Sequence, residues 1–299
     1  MTSKKGLPPI VYIAGSLALA GLGYAVYNKL NTAPAPIVTT GDRTSTTQVA
    51  FDVPSTVPTG TIVKIGGATS MVQFNKALKT GFEQKFPGVQ ALTLASSSNR
   101  GLADVAAGTI DITGVSRELT AADKDRGLVA VPIIKDKIAI VVGKNNAFTS
   151  GLTSAQVAKI FTGEIKNWSE VGGKSLPIRP ILRPIDSGTH QSFQDLGLQE
   201  KNFGSGGNFK VLERDATTPL LQALGNDGIG YATYAQVANQ STVRVMAIDG
   251  ATPELSGYPY RRTLAYVYKH PPNDAVKAFL GFTTSREGKE LISQQSQNK

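Results

Sequence analysis

The stretch Arg183-Pro-Ile-Asp-Ser-Gly-Thr-His-Gln-Ser-Phe193 holds an Asp, a Ser and a His within five residues. Two chemistries use those types. A hydrolase would react through Ser187 or Asp186, and such a group needs a base within hydrogen-bond reach. His190 lies one turn beyond Ser187 and has no evident nucleophile to activate. An oxyanion cradle would use the same residues differently. Ser187, Gly188 and Thr189 open a helix whose first amides have no intrahelical partner, and Arg183 offers a planar fork for two oxygens. Asp186 fits as a cap of that helix or as a partner of Arg183, and the sequence leaves both open. The protease versions lack their second halves. A two-lobed aspartic protease needs another such motif, and Asp249-Gly250-Ala251-Thr252 has no hydroxyl residue in the middle. A serine-protease reading of Gly67-Ala68-Thr69-Ser70-Met71 has the wrong order relative to the Asp segment and no matching His-Gly-Thr.

Three more junctions repeat the cradle chemistry. Gly66 and Gly67 end an apolar run and offer Thr69 and Ser70 at a helix start. Ser96, Ser97 and Ser98 do the same after "LTLA", and Ser116 ends "IDITGV". Each helix start carries unpaired amides and a partial positive charge that favours an anion. A hydroxyl donates to one oxygen and accepts from another group. Each junction alone also reads as an ordinary N-cap or turn. Four together, one with an arginine, point to a small oxyanion.

Composition narrows the alternatives. With no cysteine there are no disulfides, thiol nucleophiles or thiolate metal sites. Two histidines without clustering argue against a metal, and nothing calls for a cofactor. The net charge of +9 is spread along the chain rather than gathered into a basic run with aromatics, so it reads as a solvated surface and not a nucleic-acid site.

The elements that must position these residues follow from periodicity. "TIVKI", "VQALTL", "IDITGV", "LVAVPII", "IAIVV", "IRPIL", "FKVL", "VRVMAI" and "LAYVY" read as strands. Phe74, Leu78 and Phe82 fall on one helical face. Thr153 and Gln156 form a capping box, as do Thr284 and Glu287, and Thr218 before Pro219 reads as a cap. Such alternation predicts α/β layers around a largely parallel sheet. Ligands then sit beyond the carboxyl ends of strands, where the hydroxyl junctions lie.

Upstream, Lys4 and Lys5 precede an apolar run from Leu7 to about Tyr27, long enough to span a bilayer. It reads as an uncleaved anchor or a signal peptide, residues 1–30, with the body on the outer face, periplasmic or extracellular. Residues 31–59, rich in Thr, Pro, Ser and Ala, read as a flexible linker.

The segments "GGATS", "SSSNRGLADVAAGTIDITGVSREL", "IFTGEIKNWSEVGG", "SGTHQSF" and "GNDGIGYATY" together resemble the phosphate-binding proteins of phosphate ABC transporters, which are periplasmic solute-binding proteins. The resemblance covers most of the chain after the linker. It implies a two-lobed type II periplasmic-binding-protein-like fold with a two-strand hinge. Lobe I would be residues 60–136 plus 266–299, and lobe II residues 137–265. It implies a monomer that binds inorganic phosphate and delivers it to an ABC permease, without catalysis. Carried over by position, Thr69, Ser70, Ser98, Ser116, Arg183, Ser187, Gly188 and Thr189 hold the phosphate. Ser116 stands where well-studied members have an aspartate for the phosphate proton, and Ile185 where some have an acidic partner for the arginine. Trp168 reads as packing. The rival expectations are a binder of another oxyanion such as sulfate, a hydrolase, and a sensor of the same fold that serves no transporter.

Overall fold

The computed structural model describes residues 51–297. Three parallel strands start the body: β1 (Ile62–Gly67), β2 (Gln90–Thr93) and β3 (Ile112–Val115). A 3₁₀ turn, Thr69–Met71, leads into helix α1 (Val72–Lys85) between β1 and β2. Helix α2 (Ser98–Ala107) links β2 to β3 and stops at Gly108 in the left-handed conformation. The buried side of α1 carries Phe74, Leu78 and Phe82, spaced one turn apart as the sequence predicts.

After the short helix α3 (Ala121–Asp125) comes β4 (Leu128–Gly143), sixteen residues long. Its first part pairs antiparallel with β9 (Arg261–Lys269), from Leu128↔Lys269 to Lys137↔Arg261. Its last part pairs with β7 (Gly228–Thr233), from Ile138↔Thr233 onward. One strand therefore runs from the first lobe into the second, and β9 runs back. Between them lie α4 (Ser154–Thr162), β5 (Arg179–Leu182), α5 (Gly188–Leu198), β6 (Lys210–Val211), α6 (Thr217–Ala223), α7 (Tyr234–Val237) and β8 (Val243–Val245). Helices α8 (Asp274–Thr284) and α9 (Arg286–Gln297) return to the first lobe, where Phe279 and Phe282 pack on Phe82. The strand order is β2-β1-β3-β9-β4-β7-β5-β6, with β8 on β4. Tyr258 and Tyr260 belong to the second lobe's core and Leu264 to the first lobe's, so the return crossing falls between them.

Several expectations change. "LVAVPII" and "IAIVV" are one strand, because the charged Lys135-Asp136-Lys137 that seemed to separate them is the crossing itself. The sheet is not largely parallel: every pairing of β4 and β9 is antiparallel, since two strands passing between lobes in opposite directions must pair that way. β7, hidden in "GIGYAT", was missed because its small residues alternate too weakly. The Thr153–Gln156 capping box is present. Thr218 is not a cap, because α6 begins at Thr217. Thr284 ends α8 and bonds back to the Leu280 carbonyl, while the Ser285 hydroxyl accepts from the Gly288 amide and starts α9. Residues 51–59 do not behave as linker: Phe51 packs edge-on against Tyr268, and Val57 joins the same core. The expected anchor and the rest of the linker lie outside the described residues. Among the described residues no helix is long and apolar enough to cross a membrane.

Candidate functional site

Three of the strand-end junctions meet between the lobes, at Ser98, Ser116 and Gly188, and the fourth, at Thr69, reaches the second lobe through Gln236. Helix α5 is capped by Ser187, whose Oγ accepts from the His190 amide at 3.3 Å. Helix α2 is capped by Ser97, whose Oγ accepts from the Arg100 amide, which leaves Ser98 as the first helical residue. Gly188 meets Ser98 and Ser116 directly: a Cβ at Gly188 would run into both hydroxyl oxygens. Ser98, Ser116, Ser187 and Thr189 are all buried. Residues from β3, α2 and α5 therefore share one small polar space, and only a residue without a side chain fits at position 188.

The hydrogen bonds assign the hydroxyls their polarity. Ser98 Oγ accepts from the Ser116 amide at 3.1 Å. Thr189 Oγ1 accepts from Arg262 Nη1 at 3.0 Å. With Ser187, that makes three oxygens already receiving a proton; the Ser187 and Thr189 protons have no protein acceptor among the described residues, while that of Ser98 is open to Ser116. Ser116 Oγ has Ser98 Oγ 3.4 Å away, with either as donor, so its lone pairs stay adaptable. Ser70 Oγ is buried and has no partner among the described residues.

Arg183 is 1% exposed. Its Nη1 donates to Asp215 at 2.5 Å, Nη2 to Thr217 Oγ1 at 2.8 Å and Nε to the Tyr231 carbonyl at 3.4 Å. Asp215 is the acidic partner that Ile185 cannot be; Ile185 is 80% exposed. Thr217 in turn donates to Gln236 Oε1, and Gln236 Nε2 donates to the Thr69 carbonyl at 2.7 Å. The Thr69–Ser70 turn is thereby tied to the arginine through second-lobe residues. A guanidinium has five N–H groups. Three are engaged here, which leaves two on an oriented fork.

Asp186 neither caps α5 nor reaches Arg183. Its carboxylate accepts from Ser97 Oγ at 2.8 Å, bridging the loop before α5 to the start of α2. The His190 ring is held by the Arg183 carbonyl at 2.8 Å and the Tyr231 hydroxyl at 3.2 Å. Burial holds its pKa below the ordinary histidine value, with the Arg183 carbonyl and Asp215 opposing. Burial also pushes the Tyr231 hydroxyl well above its usual value. Trp168 stacks on Phe148 inside the second-lobe core, as expected of a packing residue.

Sequence reasoning missed Asp136, Asp215, Thr217, Gln236 and Arg262. One signal was available, since an Asp inside a long apolar run demands a partner once buried. Asp136 pairs with Arg262 at 2.8 Å, and both are buried. Desolvation raises the carboxyl and lowers the guanidinium, each opposed by the other's charge, and Arg183 adds to the lowering on Arg262. Among the described residues no cluster fit to hold a metal occurs.

Comparison with known proteins agrees with this architecture. Residues 33–287 match the PBP superfamily domain. The phosphate-binding protein PstS of Borreliella burgdorferi is 25% identical over 252 residues, which is 78% of this chain and 88% of that one. PstS of Bacillus subtilis is 25% identical over 239 residues, 76% of this chain and 77% of that one. A solved structure from Clostridium perfringens, assigned as a phosphate ABC transporter substrate-binding protein with bound phosphate, superposes with a TM-score of 0.71 at 30% identity. It spans 79% of this chain and 98% of that one. The chain belongs to the PBP superfamily, among its PstS-like substrate-binding proteins.

Proposed function

We propose that this chain captures inorganic phosphate between its lobes and passes it, unchanged, to an ABC permease at the outer face of a membrane. The ligand would be held by Thr69, Ser70, Ser98, Ser116, Arg183, Ser187, Gly188 and Thr189. The observation that carries this is the buried set of hydroxyls from both lobes around the Gly188 contact, two of them, Ser187 and Thr189, already accepting from the protein with their protons free, together with an oriented Arg183 fork that keeps two N–H groups free. Both nearby guanidiniums are already paired with carboxylates. Selectivity would therefore come from desolvated hydrogen bonds more than from net charge. Closure would follow from the ligand's preference for the closed state. A hydrolytic role is disfavoured, because the Ser187 hydroxyl caps its own helix and the His190 Nδ1 is held by a carbonyl and a tyrosine.

The test is calorimetry of the purified chain with phosphate, sulfate and molybdate, repeated with Arg183→Ala and Arg183→Lys. Phosphate should bind most tightly. Loss of hydrogen bonds to a charged group, about 1.5–3 kcal/mol each, should weaken Arg183→Ala by about tenfold or more. Arg183→Lys should also bind weakly, since a point charge does not reproduce the fork. Equal affinity for sulfate would move the assignment to a general oxyanion binder, and unchanged affinity in Arg183→Ala would remove the site. Turnover of a chromogenic phosphoester would revive the hydrolase.

A further inference from the structure

Arg262 stands at the start of β9, on the crossing between the lobes, and is buried. Its Nε donates to Asp136 on β4 at 2.8 Å. Its Nη2 donates to Thr233 Oγ1, at the end of β7, at 2.8 Å. Its Nη1 is shared between Thr189 Oγ1 at 3.0 Å and the Ser116 carbonyl at 3.3 Å. Thr189 belongs to the second lobe and Ser116 to the first. A single nitrogen therefore spans the cleft, on a guanidinium whose other nitrogens are fixed to the hinge and to β7.

A guanidinium only donates. Whatever hydroxyl receives it must turn its own proton elsewhere. Thr189 Oγ1 has no protein acceptor among the described residues, and its neighbour Gly188 lies against Ser98 and Ser116. A lysine would not reproduce this, because a compact ammonium on a flexible stem lacks the rigid fork that meets Asp136, Thr233 and Thr189 together.

We infer that Arg262 is a positioning residue for anion binding: it fixes the Thr189 hydroxyl as a donor and links that donor to lobe closure through the Ser116 carbonyl. This rests on the phosphate reading above. It differs from the role of a plain buried ion pair, which would stabilise or destabilise the fold without reference to Thr189.

A double-mutant cycle separates the two roles. Phosphate affinity of the full chain is measured by calorimetry for wild type, Arg262→Lys, Thr189→Val and the double variant, with Thr189→Ser as the conservative control. Arg262→Lys and Thr189→Val should each weaken binding by about tenfold, the scale of one hydrogen bond to a charged ligand. The double variant should bind no worse than Thr189→Val alone, and Thr189→Ser should stay near wild type. Should Arg262→Lys not fold, Thr233→Val replaces it, since it loosens the guanidinium and leaves the Asp136 pair intact; its loss should likewise vanish in the Thr189→Val background. Additive losses, or wild-type affinity in Arg262→Lys, would overturn the role of Arg262 and leave the phosphate reading standing. A wild-type chain that does not bind phosphate would overturn both.

Discussion

Gly188→Ala should move two observables in opposite directions. Gly188 is the first residue of α5 and lies outside the positive-φ glycines, so alanine is conformationally allowed there. On propensity alone the change stabilises the protein by about 0.4–1 kcal/mol, through lost freedom in the unfolded chain. The new methyl would, however, run into Ser98 Oγ and Ser116 Oγ. Those residues belong to the first lobe and Gly188 to the second, so the clash exists only while the cleft is closed. Opening the lobes relieves it without disturbing either core. Overpacking of this kind costs about 1–3 kcal/mol. Charged to closure rather than to folding, that is about 5–150-fold in affinity. The assay pairs calorimetry with phosphate and thermal unfolding without it. The expected result is a midpoint at or above wild type together with weakened binding. Wild-type affinity in Gly188→Ala would refute the claim that Gly188, Ser98 and Ser116 close around the ligand. A large fall in the phosphate-free midpoint would place the clash in the fold and refute the partition argued here.

Two further outcomes are expected. Phosphate at neutral pH keeps a proton that sulfate lacks, and the Ser116 hydroxyl, whose contact with Ser98 runs in either direction, keeps its lone pairs adaptable. Ser116→Asp supplies a fixed acceptor and a repelling charge, so competitive calorimetry should show the phosphate-over-sulfate ratio rise by about tenfold or more; an unchanged ratio in a folded variant means that Ser116 does not face the ligand. His190 is held below its ordinary value of 6.5, so the unfolded chain binds the proton more readily than the native one. Its contribution is complete above 6.5 and is lost as the pH falls toward the lower native value. Urea midpoints on either side of that pH should fall with acid in wild type and fall less in His190→Gln; identical slopes would count against this assignment.

The sequence by itself determined the local parts. Hydrophobic period and capping chemistry identified α1, α2 and α4 and most strands, because those signals lie within a few residues of one another. The hydroxyls and Arg183 were legible for the same reason: a helix start that can hold an anion is a local object, written in Ser, Thr and Gly. What the tertiary structure decided was pairing across distance. Asp215 lies 32 residues beyond the arginine it orients, and Arg262 lies 126 residues beyond Asp136. Asp186, ambiguous in the sequence, turned to Ser97, 89 residues earlier. No periodicity encodes such choices, because a charge or hydroxyl takes whichever partner the folded chain brings within about 3 Å in a dry setting. The antiparallel crossing of β4 and β9 was hidden for a related reason. A strand shared by two lobes is buried first against one core and then against the other, and its charged middle looks like a break until its buried partner is known.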